Sequence, residues 1–75
     1  MGIIGLTKER ILKEIGKGPI HGYELANRLK VPLPAIYEHL KNLGEEGLVE
    51  RRESGRRRVY FLTDKGKCLL RVLEY

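Results

Sequence analysis

The sequence predicts an α+β fold in which three helices come first, a basic β-hairpin follows, and a fourth helix ends the chain. Apolar residues at intervals of three and four recur in three successive segments before residue 45, which is typical of buried helix faces. Two short apolar runs, 48–49 and 59–62, flank a glycine and five arginines, which is typical of a hairpin. After Thr63 the helical spacing returns, and 75 residues predict one domain over the whole chain.

The first two helices are predicted over residues 7–16 and 21–30. Thr7 is a suitable N-cap for the first helix, and the glycines and proline that follow it end that helix. The faces expected to be buried carry Ile11, Leu12 and Ile15 in the first helix and Leu25, Ala26 and Leu29 in the second. A strand of one or two residues is expected at Ile20, between the two helices.

The third helix is predicted over residues 34–44, because Pro34 suits the first turn of a helix. At about 100° per residue, Ile36, Leu40 and Leu43 lie within about 60° of one another and should face the core. The second and third helices are separated by about four residues, a spacing typical of a helix-turn-helix.

The hairpin is predicted to have strands over 47–53 and 57–62. With a two-residue loop, Val49, Tyr60 and Leu62 share the face that should pack on the helices. Val59 and Phe61 point the other way, and the residue that covers Phe61 is not evident from the sequence.

Positive charge is concentrated in this hairpin. Residues 1–50 contain seven acidic and seven basic residues, so the net charge of +5 comes entirely from residues 51–75. Most runs of charged residues are simply solvated surfaces. This run is rich in arginine and lies at a turn, which favours contacts with nucleic-acid phosphates.

The last helix, predicted over 63–75 with Thr63 as its cap, is apolar over an arc of about 220°. A helix packed on one small core needs an apolar stripe of only about 100°, so a homodimer is expected. The residues expected at its interface are Ile3, Ile4, Leu6, Leu69, Leu70 and Leu73. The alternative is a monomer in which the N-terminal residues cover the helix. Cys68 is expected to pack as an inert thiol rather than to sense redox state.

Several classes of protein are excluded by what the sequence lacks. One cysteine rules out an internal disulfide, and two histidines without a Cys-x-x-Cys motif give no plausible zinc site. No catalytic set or phosphate-cradling glycine loop is evident, so neither an enzyme nor a cofactor is expected. No apolar stretch approaches 18 residues, which predicts no membrane span and a cytoplasmic protein.

Three motifs in order resemble the winged-helix transcriptional regulators, and most closely the PadR-like group, with the MarR and ArsR groups as relatives. They are Gly22-Tyr23-Glu24-Leu25-Ala26-x-Arg28-Leu29, Ile36-Tyr37-x-x-Leu40-x-x-Leu43-x-x-x-Gly47-Leu48-Val49 and Gly55-Arg56-Arg57-Arg58-x-Tyr60-x-Leu62-Thr63-x-Lys65-Gly66. The resemblance implies a winged helix-turn-helix with a three-helix core, a two- or three-stranded wing and a C-terminal helix. It also implies a dimeric repressor whose third helix enters the major groove. Ala35 and Glu38 depart from the small polar residue and the proline that the family usually has there, and the family usually continues into a longer dimerisation region.

The face of the third helix opposite its apolar stripe should meet DNA. Lys41 can donate to guanine or to phosphate, and Asn42 can pair with adenine. Glu38 either accepts from cytosine or forms an ion pair with Lys41 or a wing arginine. The resemblance favours a phosphate contact for Tyr37. His39, at the flank of the apolar face, is expected to be structural.

The start of the second helix and the wing complete the predicted DNA-binding set. Free amides at that helix start suit a phosphate, and Gly22 permits its close approach. His21 or Tyr23 can donate to it, although His21 could instead be a plain capping or turn residue. Arg56, at the hairpin tip, is the best candidate for the minor groove, and alternation should send Arg57 and Arg58 to opposite faces. Arg51 and Arg52 either contact phosphates or pair with Glu50 and Glu53. The full set is His21, Gly22, Tyr23, Pro34, Ala35, Tyr37, Glu38, Lys41, Asn42, Arg51, Arg52, Ser54, Gly55, Arg56, Arg57 and Arg58.

These features predict a sequence-specific regulator that binds double-stranded DNA and represses by occupying a promoter. One alternative is a winged-helix module that binds an acidic protein surface within a larger transcription or chromatin assembly. Another is a non-specific protein that binds nucleic acid.

Overall fold

The computed structural model describes residues 6–73, and the predicted order of helices and strands is confirmed. The elements are α1 (Leu6–Gly16), β1 (Ile20–His21), α2 (Gly22–Leu29), α3 (Leu33–Glu45), β2 (Val49–Ser54), β3 (Arg57–Leu62) and α4 (Asp64–Leu73). The helices pack beside a three-stranded antiparallel sheet in the order β1-β3-β2.

The predicted apolar faces of the first three helices form the core. Ile11, Leu12, Leu25, Ile36 and Leu43 are fully buried and are its largest such side chains. Burial of apolar area of this kind is the main force that holds a small domain together. Helix spacing in the sequence therefore identified the core correctly.

The first helix begins one residue earlier than predicted. Thr7 lies inside α1, which starts at Leu6, so the prediction that Thr7 is the N-cap was wrong. Leucine has a high helix propensity, so the backbone has no reason to stop at Thr7.

Helix α2 ends where Lys30 adopts a left-handed conformation with φ 59°, and the Lys30 N–H donates to the carbonyl oxygen of Ala26. The guanidinium of Arg10 donates to the carbonyl oxygen of Leu29 at 3.2 Å, so α1 also satisfies the end of α2. Free carbonyls at a helix end need such partners. The contact fixes α2 on α1.

Arg28 forms one ion pair within α2 and another across the same junction. Arg28 on α2 lies 2.7 Å from the Glu24 carboxylate and 3.4 Å from that of Glu14 on α1. The pKa of Glu14 is lowered, chiefly because Lys17 donates a hydrogen bond to it and then because Arg28 is close. These pairs lie on the surface, where each contributes little to stability.

The hairpin has the predicted two-residue loop. Ser54 pairs with Arg57, so Gly55 and Arg56 form the turn, and Gly55 has φ 63°. Glycine adopts this backbone conformation without the steric cost that other residues meet. The short strand predicted at Ile20 is β1, and it pairs with Tyr60 on β3.

The first hairpin strand begins at Val49 rather than at the predicted residue 47. Gly47 has φ 76°, and the Leu48 N–H donates to the carbonyl oxygen of Leu43 at 2.9 Å. Residues 47–48 therefore close the end of α3 instead of extending the strand.

Thr63 caps α4 as predicted, since the Gly66 N–H donates to the Thr63 hydroxyl at 3.0 Å. The same hydroxyl donates to the carbonyl oxygen of Gly47 at 2.6 Å, which ties α4 to the end of α3. Gly66 is buried, and a Cβ there would collide with the carbonyl oxygen of Leu48. Helix α4 can approach the hairpin this closely only because residue 66 has no side chain.

Candidate nucleic-acid interface

The outer face of α3 is open, because Ile36, Leu40 and Leu43 turn the opposite face into the core. Along it, Pro34, Tyr37, Glu38 and Lys41 are exposed, whereas Ala35 and Asn42 are half-buried on its flank. The side chains best placed to reach a ligand are therefore those of Tyr37, Glu38 and Lys41.

The ring of Tyr37 lies against the start of α2. A Cβ at Gly22 would be 2.8 Å from Tyr37 Cε1, so the ring occupies the room that a side chain would take. Gly22 was expected to let a phosphate approach; its missing side chain instead makes room for Tyr37. Tyr37 remains 38% exposed and so joins α2 to the open face of α3.

The same end of α2 faces the wing. One cleft is lined by residues from the start of α2, by Tyr37 and by three wing arginines. Its members are His21, Gly22, Tyr23, Glu24, Tyr37, Arg56, Arg57 and Arg58. Tyr23 is 67% exposed there.

His21 occupies the N-cap position of α2 but makes no cap hydrogen bond with its side chain. Its Nδ1 lies 3.3 Å from the carbonyl oxygen of Arg58, to which it donates when that nitrogen carries the proton. His21 therefore ties β1 to the wing, which is closer to the structural alternative than to a free phosphate donor.

A second cleft adjoins the first and brings α3 to the wing. Its lining residues are Tyr37, Leu40, Lys41, Gly44, Arg51, Arg58 and Tyr60. Tyr37 and Arg58 line both clefts, so the two are neighbours. We call the surface formed by Tyr37, Lys41, Arg51, Arg56, Arg57 and Arg58 the basic cleft.

The strand register places Arg57 and Arg58 on opposite faces, as predicted, because Arg58 pairs with Glu53 and Arg57 with Ser54. Both nevertheless line the cleft beside α2, which lies close to the hairpin tip. Gly55 is exposed at this tip, and the backbone of Ser54 pairs with Arg57. The structure therefore brings Arg56, Arg57 and Arg58 together.

Arg52 lies apart from the basic cleft. Its guanidinium carbon is 5.2 Å from the centroid of the Phe61 ring, on the other side of the sheet. Arg52 is therefore the residue that covers Phe61, through a cation–π contact, which was not evident from the sequence. Arg52 was predicted to bind DNA, but it faces away from α3, so we leave it out of the interface that we propose.

An acidic residue that was not among the predicted binding residues contacts two arginines of the basic cleft. Glu53 is 3.6 Å from Arg51 and 3.8 Å from Arg58. The ion pair expected of Glu38 with Lys41 or a wing arginine does not occur among residues 6–73 within 4.0 Å. The cross-strand position of Glu53 opposite Arg58 was the signal that could have identified the actual pair.

Of the third helix, His39 was expected to be structural. Its Nδ1 is buried and has no hydrogen-bond partner within the described part of the chain. His39 lines neither of the two clefts that form the basic cleft.

A separate apolar surface lies on the opposite side. Leu69, Leu70 and Leu73 are half-buried on α4, and Val72 is 61% exposed. Of these, Leu70 lines a groove of about 750 Å³ between α1, α4 and the outer face of the wing. Cys68 is exposed, so the prediction that it is packed was wrong for the isolated chain. Ile3 and Ile4, predicted at a dimer interface, lie outside the described residues, and of Leu6 only the backbone is described.

Across residues 6–73, no group of three or more His, Cys, Asp or Glu side chains is close enough to bind a metal ion. None of the helices described is sufficiently long and apolar to cross a bilayer.

Comparison with known proteins decides the family. The model of the transcriptional regulator PadR-like family matches residues 11–72, which include α2, α3 and the wing. The chain belongs to the PadR-like family. This PadR-like chain is 42% identical over 66 residues to the HTH-type transcriptional regulator Rv2034 of Mycobacterium tuberculosis, a match that covers 88% of the chain and 62% of the relative.

Solved structures confirm the winged-helix fold. Streptococcus pneumoniae FabT in complex with DNA has a TM-score of 0.89 and 28% identity, over 96% of this PadR-like chain and 53% of FabT. A mutant of MarR from E. coli complexed with operator DNA has a TM-score of 0.87 and 27% identity, over 93% of the chain and 53% of MarR. The chain therefore spans little more than half the length of these relatives.

Proposed function

We propose that this PadR-like chain is a sequence-specific regulator of transcription that binds double-stranded DNA. The observation that carries the proposal is the basic cleft, in which Lys41 from α3 lines one cleft with Arg51 and Arg58 of the wing. The arginines at the wing tip line the neighbouring cleft. Two relatives of the same fold are in complex with DNA. A helix face and a basic ribbon on one side of a small domain can engage a groove and its flanking phosphates together.

In this proposal α3 enters the major groove. Lys41 donates to the O6 or N7 acceptors of guanine, or to a phosphate. Glu38 has no ion pair with Lys41 within the described residues, so it is free to accept from the amino group of cytosine. Asn42, half-buried, reaches only a base at the edge of the contact. Pro34 and Ala35 bring the start of the helix close to the DNA.

Contacts on either side of α3 set its position on the duplex. The hydroxyl groups of Tyr23 and Tyr37 donate to phosphates near the start of α2, where the helix dipole also favours negative charge. Arg56, at the tip of the wing, enters the minor groove, while Arg57 and Arg58 contact the DNA backbone beside that groove. Such contacts supply salt-sensitive affinity without reading sequence.

Replacing Arg56 by alanine should weaken binding to all duplexes alike. Loss of one phosphate-type contact is expected to reduce the slope of log affinity against log salt by about one unit. Fluorescence anisotropy over a salt series would measure both. Arg52→Ala is the matched control, because it removes the same charge from the same hairpin on the face that packs on Phe61. Equal effects of the two substitutions would remove the wing tip from the proposed interface.

Sequence specificity itself is best tested by selecting bound fragments from a random duplex pool. We expect a recovered site with two-fold symmetry. Recovery of no preferred sequence would favour a non-specific nucleic-acid-binding protein. Absence of any binding to duplex DNA at low salt would favour the protein-interaction alternative.

We further propose that the protein is a cytoplasmic homodimer that represses by occupying its promoter, without catalysing a reaction. The apolar surface of α4, with Val72 largely exposed, is the part of the described chain best suited to a second copy. A two-fold dimer would present its two third helices to half-sites about 34–36 Å apart.

Val72→Glu should convert the dimer into a monomer, because a carboxylate at an apolar interface is left without a partner. Sedimentation at micromolar concentration would show the change in mass. Asn27→Glu is the control, since Asn27 is exposed on α2, away from the α4 surface. A dimer that survived Val72→Glu would place the interface elsewhere.

A further inference from the structure

Glu53 lies among the cations that would meet DNA. It is directly opposite Arg58 in the register of β2 and β3, and it follows Arg51 by two residues on β2. Side chains two apart on a strand, and those directly opposite across a pair, share one face of the sheet. Its Oε1 is therefore placed between the guanidinium groups of Arg51 and Arg58, at 3.6 Å and 3.8 Å.

This face is the one that looks toward α3. Tyr60, two residues after Arg58, is buried on the same side, and Lys41, Arg51, Arg58 and Tyr60 line one cleft. The carboxylate consequently lies in the region where a phosphate would be held. The carboxylate pairs with the two arginines in the same way as a DNA phosphate would.

The ion pairs are loose. A well-formed hydrogen bond between charged groups is about 2.7–2.9 Å long, and both distances exceed that range. The side chains of Arg51, Arg58 and Glu53 are 52%, 53% and 56% exposed. Exposed pairs of this kind are weak, so a phosphate can displace the carboxylate without a large loss of folding stability.

We propose that Glu53 acts as an internal competitor for phosphate, which pairs with Arg51 and Arg58 in the free protein and is displaced when DNA binds. This inference rests on the proposed function. It assigns to Glu53 a role in specificity, because a carboxylate beside these two arginines lowers the affinity for DNA of any sequence. Contacts of α3 to base edges are then left to distinguish the preferred site.

Glu50 provides a matched comparison. It belongs to the same strand, three residues earlier, and lies opposite Phe61 on the other face of the sheet. Among residues 6–73 it makes no ion pair within 4.0 Å. Glu50→Gln and Glu53→Gln change the net charge by the same amount, so a difference between them reports position rather than total charge.

The test measures binding of a duplex of random sequence by fluorescence anisotropy over a salt series. Glu53→Gln is expected to tighten binding about five- to tenfold at low salt. The interaction energy of two unit charges about 4 Å apart in water corresponds to a change in affinity of this order. It should also steepen the salt slope by about one unit. Glu50→Gln should change the affinity less than about threefold, given its distance from the cleft, and leave the slope unchanged. Glu53→Asp keeps the charge and should remain near the wild type.

The outcomes separate two failures. If every protein binds DNA and Glu53→Gln behaves like Glu50→Gln, the role of Glu53 is overturned while the proposed function stands. If none of the proteins binds DNA at the lowest salt, the proposed function itself fails. Thermal unfolding of each variant shows that it is folded, so weaker binding by a folded Glu53→Gln would also contradict the proposal.

Discussion

Replacing Gly66 by alanine is expected to lower the free energy of unfolding by about 1–3 kcal/mol, as other substitutions that overpack a core do. The new methyl group would meet the carbonyl oxygen of Leu48, which is held in place because the Thr63 N–H donates to it at 3.1 Å. Neither the start of α4 nor the hairpin can move away without losing this hydrogen bond and the Thr63 cap.

Thermal denaturation would measure this loss. For a domain of this size each kcal/mol corresponds to about 4–8 °C in Tm. Gly44→Ala is the control, because Gly44 is an exposed position in α3 and a Cβ there meets only the Val49 carbonyl oxygen at an ordinary 3.9 Å. That change should raise stability by about 0.4–1 kcal/mol, since alanine restricts the unfolded chain more than glycine does. Equal effects of the two substitutions would contradict the close approach of α4.

Replacing Lys41 by alanine is expected to weaken binding to the preferred site by about 1–3 kcal/mol if Lys41 reads a base. Preference at a single base position should relax at the same time. Lys41 is the exposed cation on the outer face of α3, and it lines the cleft that also contains Arg51 and Arg58.

Competition between the selected site and its single-base variants would distinguish the roles of Lys41. A loss that is the same for every sequence, with a salt slope smaller by about one unit, would assign Lys41 to phosphate instead. Lys13→Ala is the control, because it removes an exposed cation from α1 and not from the basic cleft. A Lys41→Ala protein that bound as well as the control would remove the outer face of α3 from the interface.

Most of the fold was readable from the sequence. Ile36, Leu40 and Leu43 repeat at helix spacing, and all three are buried in α3. Gly55 between two strand-like runs marked the turn, and its φ of 63° is the conformation for which glycine is suited. Local patterns of this kind are informative because one face of each helix or strand must be buried in the core.

The ends of elements were less predictable. Thr7 looked like a cap but lies inside α1, and residues 47–48 close α3 rather than start β2. The ends of helices and strands shift by one or two residues more readily than their centres, and a short sequence pattern does not fix them.

The candidate site, too, was only partly predictable from the sequence. Sequence reasoning placed Lys41 and the wing arginines in the binding set, because their residue types and exposure suit phosphates and base edges. It also placed Arg52 there, although Arg52 packs on Phe61 on the other side of the sheet. Strand register and sheet packing decide which arginines face α3, and neither is encoded in a short stretch of residues.

By itself, the sequence determined the order of helices and strands, the apolar core and the location of the positive charge. These depend on periodicity and composition within single segments. Only the tertiary structure decided that Glu53 lies between Arg51 and Arg58, that Tyr37 covers Gly22, and that α4 needs glycine at position 66. Each of these joins segments distant in sequence or depends on the register of two strands, and such contacts exist only after the whole chain has packed.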